Sequence, residues 1–477
     1  MLLRAFLLIS LIALPLAAQA EPAPTKTTTH QSETFGGKEI QFTTTVEQTI
    51  IPDAKGKPAA SMVTIAYTRD GVTNESARPV MFVFNGGPGA SSSPLHMHAL
   101  GPKRIVETPA DNVLADNPDS VLDATDLVFI DPIGTGISRP LPGADGQQFW
   151  TVTGDGSSVA VFIRAWLKEY HRESSPHFLC GESYGASRAA QIVRAATDLK
   201  FDGVLLLSMA GSSGDGDLPY MLMFPSLAAT AAFHGKADTR GRTPQQIFDD
   251  AAHFAHTDYI SALIEGDELS ADAKRTMAEK MSDLIGLPAD FIASRNLRVT
   301  KADFVLNLLK DRGLTIGQID TRVTGAISTF VGQKPPRDDP SMGMAGPSKG
   351  RSNSEIIQDY LTHDLHFATA ETYKSLNLDV NSQWKFDVDD ALRSPAAMVG
   401  EALKTRPGTR VFWSGGLYDL ATPLYGGIYT LDHSGIPQDR LTIAKFPTGH
   451  MVYEGDENLA RFTKAVRAFV RNETVAP

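Results

Sequence analysis

Two kinds of hydrophobic pattern alternate along the first part of the chain. Residues 39–51 and 60–69 alternate β-branched and polar side chains, which predicts two half-buried strands. Residues 79–84, 126–130 and 203–207 are instead continuously apolar, and each run leads into a loop rich in glycine, proline or serine. Unbroken apolar strands are typical of a sheet that helices cover on both faces.

Helical periodicity occupies the stretches between these apolar runs, at residues 158–172 and 186–199. Further apolar strands are predicted at 177–181, 409–416 and 440–446. This alternation predicts an α/β fold with a central, mostly parallel sheet. Ligands of such sheets bind beyond the carboxyl ends of the strands, where this chain places its glycine-rich loops.

The strand pattern stops between residues 217 and 393, where the periodicity becomes helical and residues 333–354 are rich in proline, glycine and serine. We therefore expect a mostly helical insertion, or cap, at 217–393. It divides an α/β core into residues 21–216 and 394–477, which suits a chain of 477 residues, too long for one ordinary core. The polar, proline-bearing residues 21–33 predict a flexible lead-in.

The N-terminus has the pattern of an export signal. Arg4 precedes an apolar run at residues 5–16, and Ala-Gln-Ala at 18–20 supplies the small residues that a signal peptidase accepts. The run is short for a membrane span. We therefore expect a signal peptide at residues 1–20 and an exported chain, periplasmic or secreted, without stable membrane insertion.

Composition and charge limit the kinds of partner that we expect this chain to bind. Hydrophobic residues make up 42% of the chain and charged residues 21%, as in ordinary globular proteins. The formal net charge is −11 without long lysine or arginine runs, so we do not expect nucleic acid as a partner. His96 and His98 lie close together, but no acidic or cysteine ligands accompany them, so they are interpreted as packing or rim residues and no metal is predicted. The oligomeric state is not determined by these patterns.

Ser183 lies in the pattern Gly-x-Ser-x-Gly, at residues 181–185. The motif follows an apolar strand and precedes a helix, which is the context of a nucleophile elbow. Such a turn exposes the serine hydroxyl and directs the amide of Tyr184 toward a developing oxyanion. The single cysteine, Cys180, lies on the preceding strand with no base placed for it, and is predicted to be a buried packing residue.

A serine hydroxyl needs a base to become a nucleophile. In folds with this elbow, the acid and the histidine follow the serine in that order. Asp419 comes just after an apolar strand, and His450 follows the last predicted strand. We therefore predict Ser183 as nucleophile, Asp419 as the residue that orients the imidazole, and His450 as general base. Three such residues at three strand ends favour a triad over a helix cap, a turn and a surface histidine.

A second glycine loop, Asn-Gly-Gly-Pro-Gly at residues 85–89, follows another apolar strand. Glycines let the backbone approach a substrate closely, and their amides can donate to an oxyanion. A purely structural turn is the alternative. The presence of an elbow in the same chain favours an oxyanion hole.

Together these motifs resemble the serine carboxypeptidases of peptidase family S10, which are α/β-hydrolases with a helical insertion. Four segments match in order: NGGPGASSS, DPIGTGIS, GESYGASRAA, and the pair GGLYDLATP with GHMVYEGDE. The resemblance covers most of residues 35–215 and 405–470. It implies that Ser183, Asp419 and His450 form the catalytic triad.

The resemblance also implies roles for five residues of the two glycine-containing motifs. The amides of Gly87 and Tyr184 would form the oxyanion hole, and Asn85, Gly86 and Glu182 would hold the C-terminal carboxylate of a substrate. A carboxyl group donates a hydrogen bond to a carboxylate only while it is protonated, and burial beside the elbow would raise the pKa of Glu182. We therefore expect affinity for peptides to weaken as pH rises.

The chain departs from the family at the carboxylate clamp. The family has a second glutamate just before Leu-Gly-Pro, and here Ala99 stands in its place. The family usually has Trp-Leu-Asn before the glycines, where this chain has Val83-Phe84-Asn85, and often a cysteine where it has Ala90. The triad is unaffected by these differences.

The leading hypothesis is an exported serine peptidase that releases C-terminal residues from peptides through an acyl-enzyme at Ser183, with no metal or organic cofactor. An esterase or acyltransferase that acts on small esters with the same triad is the alternative, which the absent second glutamate favours. A non-catalytic binding protein on a hydrolase scaffold is the third. Such relatives typically lose a triad member, and this chain keeps all three.

Overall fold

A computed structural model describes residues 26–209, 216–344, 350–388 and 394–474. The predicted signal peptide at residues 1–20 lies outside these ranges. The strands in the described part are β1 (Lys26–Phe35), β2 (Lys38–Pro52), β3 (Pro58–Arg69), β4 (Val80–Phe84), β5 (Lys103–Glu107), β6 (Asn112–Asp116), β7 (Asp126–Ile130), β8 (Arg139–Pro140), β9 (His177–Glu182), β10 (Gly203–Leu207), β11 (Leu314–Ile316), β12 (Thr324–Ala326), β13 (Arg410–Gly416) and β14 (Leu441–Phe446).

The α-helices of the same ranges are α1 (Ser93–Leu95), α2 (Val152–Glu169), α3 (Tyr184–Ala195), α4 (Leu218–Phe233), α5 (Pro244–Phe254), α6 (Ile260–Glu265), α7 (Ala271–Ile285), α8 (Ala289–Ser294), α9 (Lys301–Asn307), α10 (Ile327–Phe330), α11 (Asn353–Asp359), α12 (Leu378–Gln383), α13 (Pro395–Leu403), α14 (Leu424–Asp432) and α15 (Asp456–Val470).

The central sheet has the order β1-β2-β3-β7-β4-β9-β10-β13-β14, with β8 beside β3. The pairs from β1 to β7 are antiparallel. The pairs from β7 to β14 are all parallel. Every residue of β4, β7, β9 and β10 is buried, because helices cover both faces of the parallel part. The predicted α/β fold with a mostly parallel central sheet is confirmed.

Apolar side chains fill both faces of this sheet. Neighbours on a strand point to opposite faces, so Trp413 of β13 belongs to one core cluster and Phe412 to the other. On the first face Trp413 shares its cluster with Phe162 of α2. On the second face Phe412 packs against Phe469 of α15, with ring centroids 5.5 Å apart. Loops follow the parallel strands at their carboxyl ends.

The region between β10 and β13 packs in two ways. Helices α4 to α9 build a core of their own that includes Phe224 and Met281. Residues 353–373 instead join the cluster under the central sheet, through side chains such as Tyr360. The first part of this mostly helical region therefore has its own cluster, which Leu420 after β13 also joins, while Phe248 of α5 belongs to a cluster of the central sheet. The boundaries at 217 and 393 stay a prediction.

The predicted flexible lead-in at residues 21–33 is wrong from Lys26 onward. These residues belong to β1, which pairs antiparallel with β2 along its whole length. Side-chain exposure alternates along β1, as it does on a half-buried strand. The three threonines at 27–29 are β-branched, which favours a strand. The strand is completed by pairing with β2, and the polar composition of residues 21–33 gives no indication of that partner.

Candidate active site

Ser183 lies at a sharp turn between β9 and α3. Its backbone has φ 59° and ψ −127°, a region that residues other than glycine rarely adopt. The Ser183 amide donates to the carbonyl of Leu207 at 2.9 Å, which ties the turn to β10. A Cβ atom at Gly181 would lie 2.1 Å from the carbonyl oxygen of Gly185, so the turn requires glycine there. The strand–turn–helix context of a nucleophile elbow is thus present, with Ser183 half-buried.

The glycine loop at residues 85–89 lies directly against this elbow, because β4 and β9 are parallel neighbours. A Cβ atom at Gly86 would lie 2.4 Å from the amide nitrogen of Tyr184. Gly87 follows with φ 95°, a conformation that favours glycine. The structure therefore brings together the two segments whose amides are predicted to form the oxyanion hole. That role of Gly87 and Tyr184 stays a prediction.

His450 and Asp419 form the pair that was predicted to serve as base and acid. The distance between His450 Nδ1 and Asp419 Oδ2 is 2.7 Å. Asp419 is fully buried. Its Oδ1 accepts from the amides of Ala421 and Thr422 at 2.8 and 2.9 Å. These bonds aim the carboxylate at the imidazole, so in the neutral ring the proton is assigned to Nδ1 and Nε2 is the acceptor.

The charge balance around His450 favours its protonated form. Burial disfavours the cation, but the Asp419 charge and hydrogen bond outweigh burial, Glu182 adds a further negative charge, and the pKa of His450 rises to about 9. Stabilisation of an imidazolium by a buried carboxylate is what a general base requires once it has taken a proton from serine.

Glu182 and Asn85 are joined at the end of β9. Glu182 is 4% exposed, and its Oε1 accepts from Asn85 Nδ2 at 2.7 Å. Asn85 Oδ1 accepts from the amide of Leu95 at 3.0 Å, which fixes the orientation of the side-chain amide. Glu182 Oε2 forms no well-aligned hydrogen bond with the described residues, although Tyr453 lies near this carboxyl group. Burial raises the pKa of Glu182, against the opposing effects of His450, Tyr453 and Asn85. This is the direction that a protonated binding group needs.

Tyr453 lies beside Glu182, and no sequence pattern pointed to it. Its side chain is buried, and its hydroxyl forms no well-aligned hydrogen bond with the described residues. Burial and the nearby Glu182 carboxyl raise the pKa of Tyr453 well above its usual range, so it stays a neutral hydroxyl. Ala99, where the family has its second glutamate, is buried among apolar side chains and offers no polar group.

Arg188 is a second residue that sequence reasoning missed. It is 1% exposed, and its Nε donates to Asp155 Oδ2 at 2.7 Å. Its Nη1 donates to the carbonyl of Asn85, so α3 holds the start of the glycine loop. A buried guanidinium is tolerated only with such partners. Its partners lie 33 and 103 residues away along the chain, which left no local signal.

The other candidate side chains are packed into the core. His96 is fully buried and stacks on Phe129 with ring centroids 4.1 Å apart. Cys180 is also fully buried, and burial raises the pKa of its thiol. Within the described ranges, no group of three or more histidine, cysteine, aspartate or glutamate residues is arranged to hold a metal ion.

The part of the chain that includes the Ser183 elbow is similar in sequence to known proteins. Residues 67–201 match the family model described as serine carboxypeptidase, peptidase family S10. The pheromone-processing carboxypeptidase KEX1 of Blastomyces gilchristii is 32% identical over 116 residues, which cover 24% of this chain and 17% of that protein. Serine carboxypeptidase-like 21 of Arabidopsis thaliana is 30% identical over 135 residues, 27% of each chain. The matched segments thus span about a quarter or less of these relatives.

The fold is shared over a greater length. The crystal structure of KEX1(Δ)p, a prohormone-processing carboxypeptidase from Saccharomyces cerevisiae, aligns over 91% of each chain with a TM-score of 0.58 and 15% identity. At that identity the likeness shows the fold alone. Residues 67–201 are thus similar in sequence to the serine carboxypeptidases of peptidase family S10, and the chain shares the α/β-hydrolase fold of one such enzyme.

Proposed function

We propose that this protein is a serine peptidase that releases C-terminal residues from peptides through an acyl-enzyme. The observation that carries the proposal is the 2.7 Å contact between His450 and Asp419, at the same sheet edge as the Ser183 elbow. The relationship to serine carboxypeptidases supports a peptide as the substrate class. No cofactor enters the proposed reaction.

In this reaction, His450 takes the proton of Ser183 while the serine oxygen forms a bond to the scissile carbonyl carbon. The amides of Gly87 and Tyr184 stabilise the resulting oxyanion. His450 then protonates the leaving nitrogen, the C–N bond breaks, and the C-terminal residue departs. Water, deprotonated by His450, then attacks the acyl carbon. The ester bond to Ser183 breaks, His450 returns the proton to the serine oxygen, and the shortened peptide leaves with a new C-terminal carboxylate.

The proposed carboxylate clamp consists of Glu182, Asn85 and Gly86. Because Asn85 occupies Oε1 of Glu182, Oε2 is the oxygen that can carry a proton and donate it to a substrate carboxylate. The raised pKa of Glu182, caused first by burial, supports this use. The clamp has one carboxyl group, since Ala99 is apolar.

An esterase or acyltransferase that uses the same triad is the second candidate. The observation in its favour is that Ala99 lies in the apolar core, so the clamp has no second carboxyl group. A substrate without a free carboxylate would lose little at such a site. The two candidates therefore differ in how strongly turnover depends on a free C-terminus.

We also propose that the chain is exported, on the pattern of residues 1–20. Among the described residues, no helix combines the length and the apolar character needed to cross a membrane.

The deciding experiment incubates the protein with a peptide mixture and reads the products by mass spectrometry. Loss of successive C-terminal residues is expected, together with labelling of Ser183 by a fluorophosphonate. Ser183→Ala should abolish both, while Ser187→Ala, one turn further along α3, should keep both. Hydrolysis of esters without any shortening of free peptides would favour the second candidate. A folded protein that does not react with the probe would overturn both candidates.

A further inference from the structure

The turn between β11 and β12, Gln318–Arg322, lies against both loops that carry the acid and the base; we call it the bridging segment. It belongs to the mostly helical region, outside the central sheet. The carbonyl of Gln318 accepts from the amides of Leu420 and Ala421 at 2.9 and 3.1 Å. These are the two residues that follow Asp419.

The bridging segment also holds the other side of Asp419. The amide of Thr321 donates to the carbonyl of Tyr418 at 3.0 Å. Backbone hydrogen bonds from one short segment thus flank Asp419 on both sides, so the carboxylate cannot shift along its loop without breaking them.

The same segment contacts the His450 loop. The amide of His450 donates to the carbonyl of Ile319 at 2.8 Å. A Cβ atom at Gly449 would lie 2.5 Å from the Cβ of Asp320, so glycine is needed for this close approach. The backbone of the proposed base is therefore bonded to the helical region.

Arg322 adds side-chain bonds to this contact. Its Nη2 lies 2.7 Å from Glu454 Oε2, and its Nη1 donates to the carbonyl of Pro447 at 3.1 Å. Its Nε donates to Asp320 at 3.0 Å, within the bridging segment itself. One guanidinium therefore connects the bridging segment to positions on both sides of His450. The planar guanidinium carries several N–H donors in fixed directions and can therefore bond to all of these partners at once. The single ammonium group of a lysine could not make the same set of bonds.

The far side of the bridging segment is anchored as well. Asp339 Oδ2 accepts from the amides of Gln318 and Ile319 at 3.0 and 3.3 Å. The amide of Asp320 donates to Ser341 Oγ at 3.2 Å. The segment is thus a braced support and not a free loop that happens to touch the site.

We propose that the bridging segment positions the Asp419–His450 pair and that Arg322 is the positioning residue that holds it in place. The acid and the base come from two separate loops, and a shift of about 1 Å in such a pair can cost roughly 100-fold in rate. A common support that bonds to both loops removes that freedom. The consequence for turnover rests on the proposed function, whereas the geometry of the pair can be measured without it.

The test compares Arg322→Met with Arg295→Met in the full chain. Arg295 pairs with Asp303 at 2.7 Å inside the helical region and serves as the matched control. Proton NMR reads the low-field resonance of the His450 Nδ1 proton, and kinetics read kcat and KM separately. For Arg322→Met we expect the resonance to move upfield or broaden, and kcat to fall roughly tenfold with KM changed less than about twofold. The control should match the wild type.

The pH profile separates positioning from simple loss of folded protein. A looser contact with Asp419 lets the pKa of His450, now about 9, fall toward its usual value. The acid limb of Ser183 labelling should therefore move to lower pH in Arg322→Met, whereas partial unfolding would lower the labelling rate equally at every pH. Arg322→Lys keeps the positive charge but not the planar set of donors, so its kcat and pH profile should lie between those of Arg322→Met and the wild type. If Arg322→Met does not fold, Glu454→Gln removes one partner of the guanidinium and should show the same changes at smaller size.

A wild-type resonance and a wild-type pH profile in folded Arg322→Met would overturn the inference. If instead the wild-type protein cleaves no peptide or ester, the proposed function fails. The NMR comparison still decides whether the bridging segment positions the pair.

Discussion

His450 Nδ1 and Asp419 Oδ2 are 2.7 Å apart, although the two residues lie in loops that follow different strands. Those strands, β14 and β13, are parallel neighbours, so their carboxyl ends meet at one edge of the sheet. Backbone amides in the Asp419 loop then aim the carboxylate at the imidazole. The contact therefore combines sheet register with local hydrogen bonding.

Replacement Asp419→Asn tests the charge in this contact. The amide keeps the size of the carboxylate but cannot stabilise the imidazolium, so we expect kcat to fall by roughly 10³- to 10⁴-fold in peptide hydrolysis. Asp432→Asn, an exposed carboxylate at the end of α14, is the control and should leave kcat unchanged. A variant that retains more than about a tenth of the wild-type kcat would contradict the assigned role.

Glu182 should give peptide binding and serine activation opposite pH dependences. Its pKa is raised by burial, so it loses its proton as pH rises, and KM for peptides with a free C-terminus should then increase. His450 acts as a base only when neutral, and its pKa of about 9 makes serine labelling increase with pH. A KM that stays flat from about pH 4 to pH 8 in the wild type would argue against the proposed clamp.

Glu182→Gln should separate these two effects. The amide cannot ionise, so the KM of free-carboxylate peptides should lose its dependence on pH. Since Glu182 is one of the negative charges that raise the pKa of His450, its removal should also shift the acid limb of Ser183 labelling to lower pH. The exposed Glu173 offers a control variant, Glu173→Gln, in which neither profile should change.

Tyr453→Phe should extend carboxylate binding to higher pH. Burial raises the pKa of Glu182, and the Tyr453 hydroxyl opposes that rise by favouring the ionised form. Without the hydroxyl, Glu182 keeps its proton to higher pH, so the increase of KM should begin at higher pH. Because this hydroxyl has no well-formed hydrogen bond, its loss should change the free energy of unfolding by less than about 1 kcal/mol. Tyr425→Phe on α14 is the matched control, and an unshifted KM profile in Tyr453→Phe would refute the interaction.

Arg188→Met should cost about 3–5 kcal/mol of unfolding free energy in urea denaturation, because it leaves Asp155 buried without its partner. The double variant Arg188→Met/Asp155→Leu should regain much of that loss. Arg164 and Asp198 form an exposed pair at 2.6 Å, with 41% and 59% of the side chains accessible, and Arg164→Met should cost only about 0–1 kcal/mol. Equal losses at the two sites would contradict the importance of burial.

Local sequence patterns were sufficient for the fold class and for the strand–turn–helix elbow that carries Ser183. Continuous apolar strands ending in glycine loops predicted the parallel part of the sheet, and the elbow motif located Ser183, because backbone sterics at a strand–helix turn act over a few residues. The order of Asp419 and His450 at later strand ends also followed from the motif. Strand β1 was missed because its stability comes from pairing with β2, and its own composition is polar.

Contacts between distant parts of the chain were decided by the tertiary structure alone. Tertiary packing alone placed Tyr453 beside Glu182 and Arg188 on the carbonyl of Asn85, and it placed the bridging segment against the loops of Asp419 and His450. Such contacts have no period or spacing along the chain. The sequence by itself therefore determined the chemistry that is available, and the packing of the folded chain decided how that chemistry is supported.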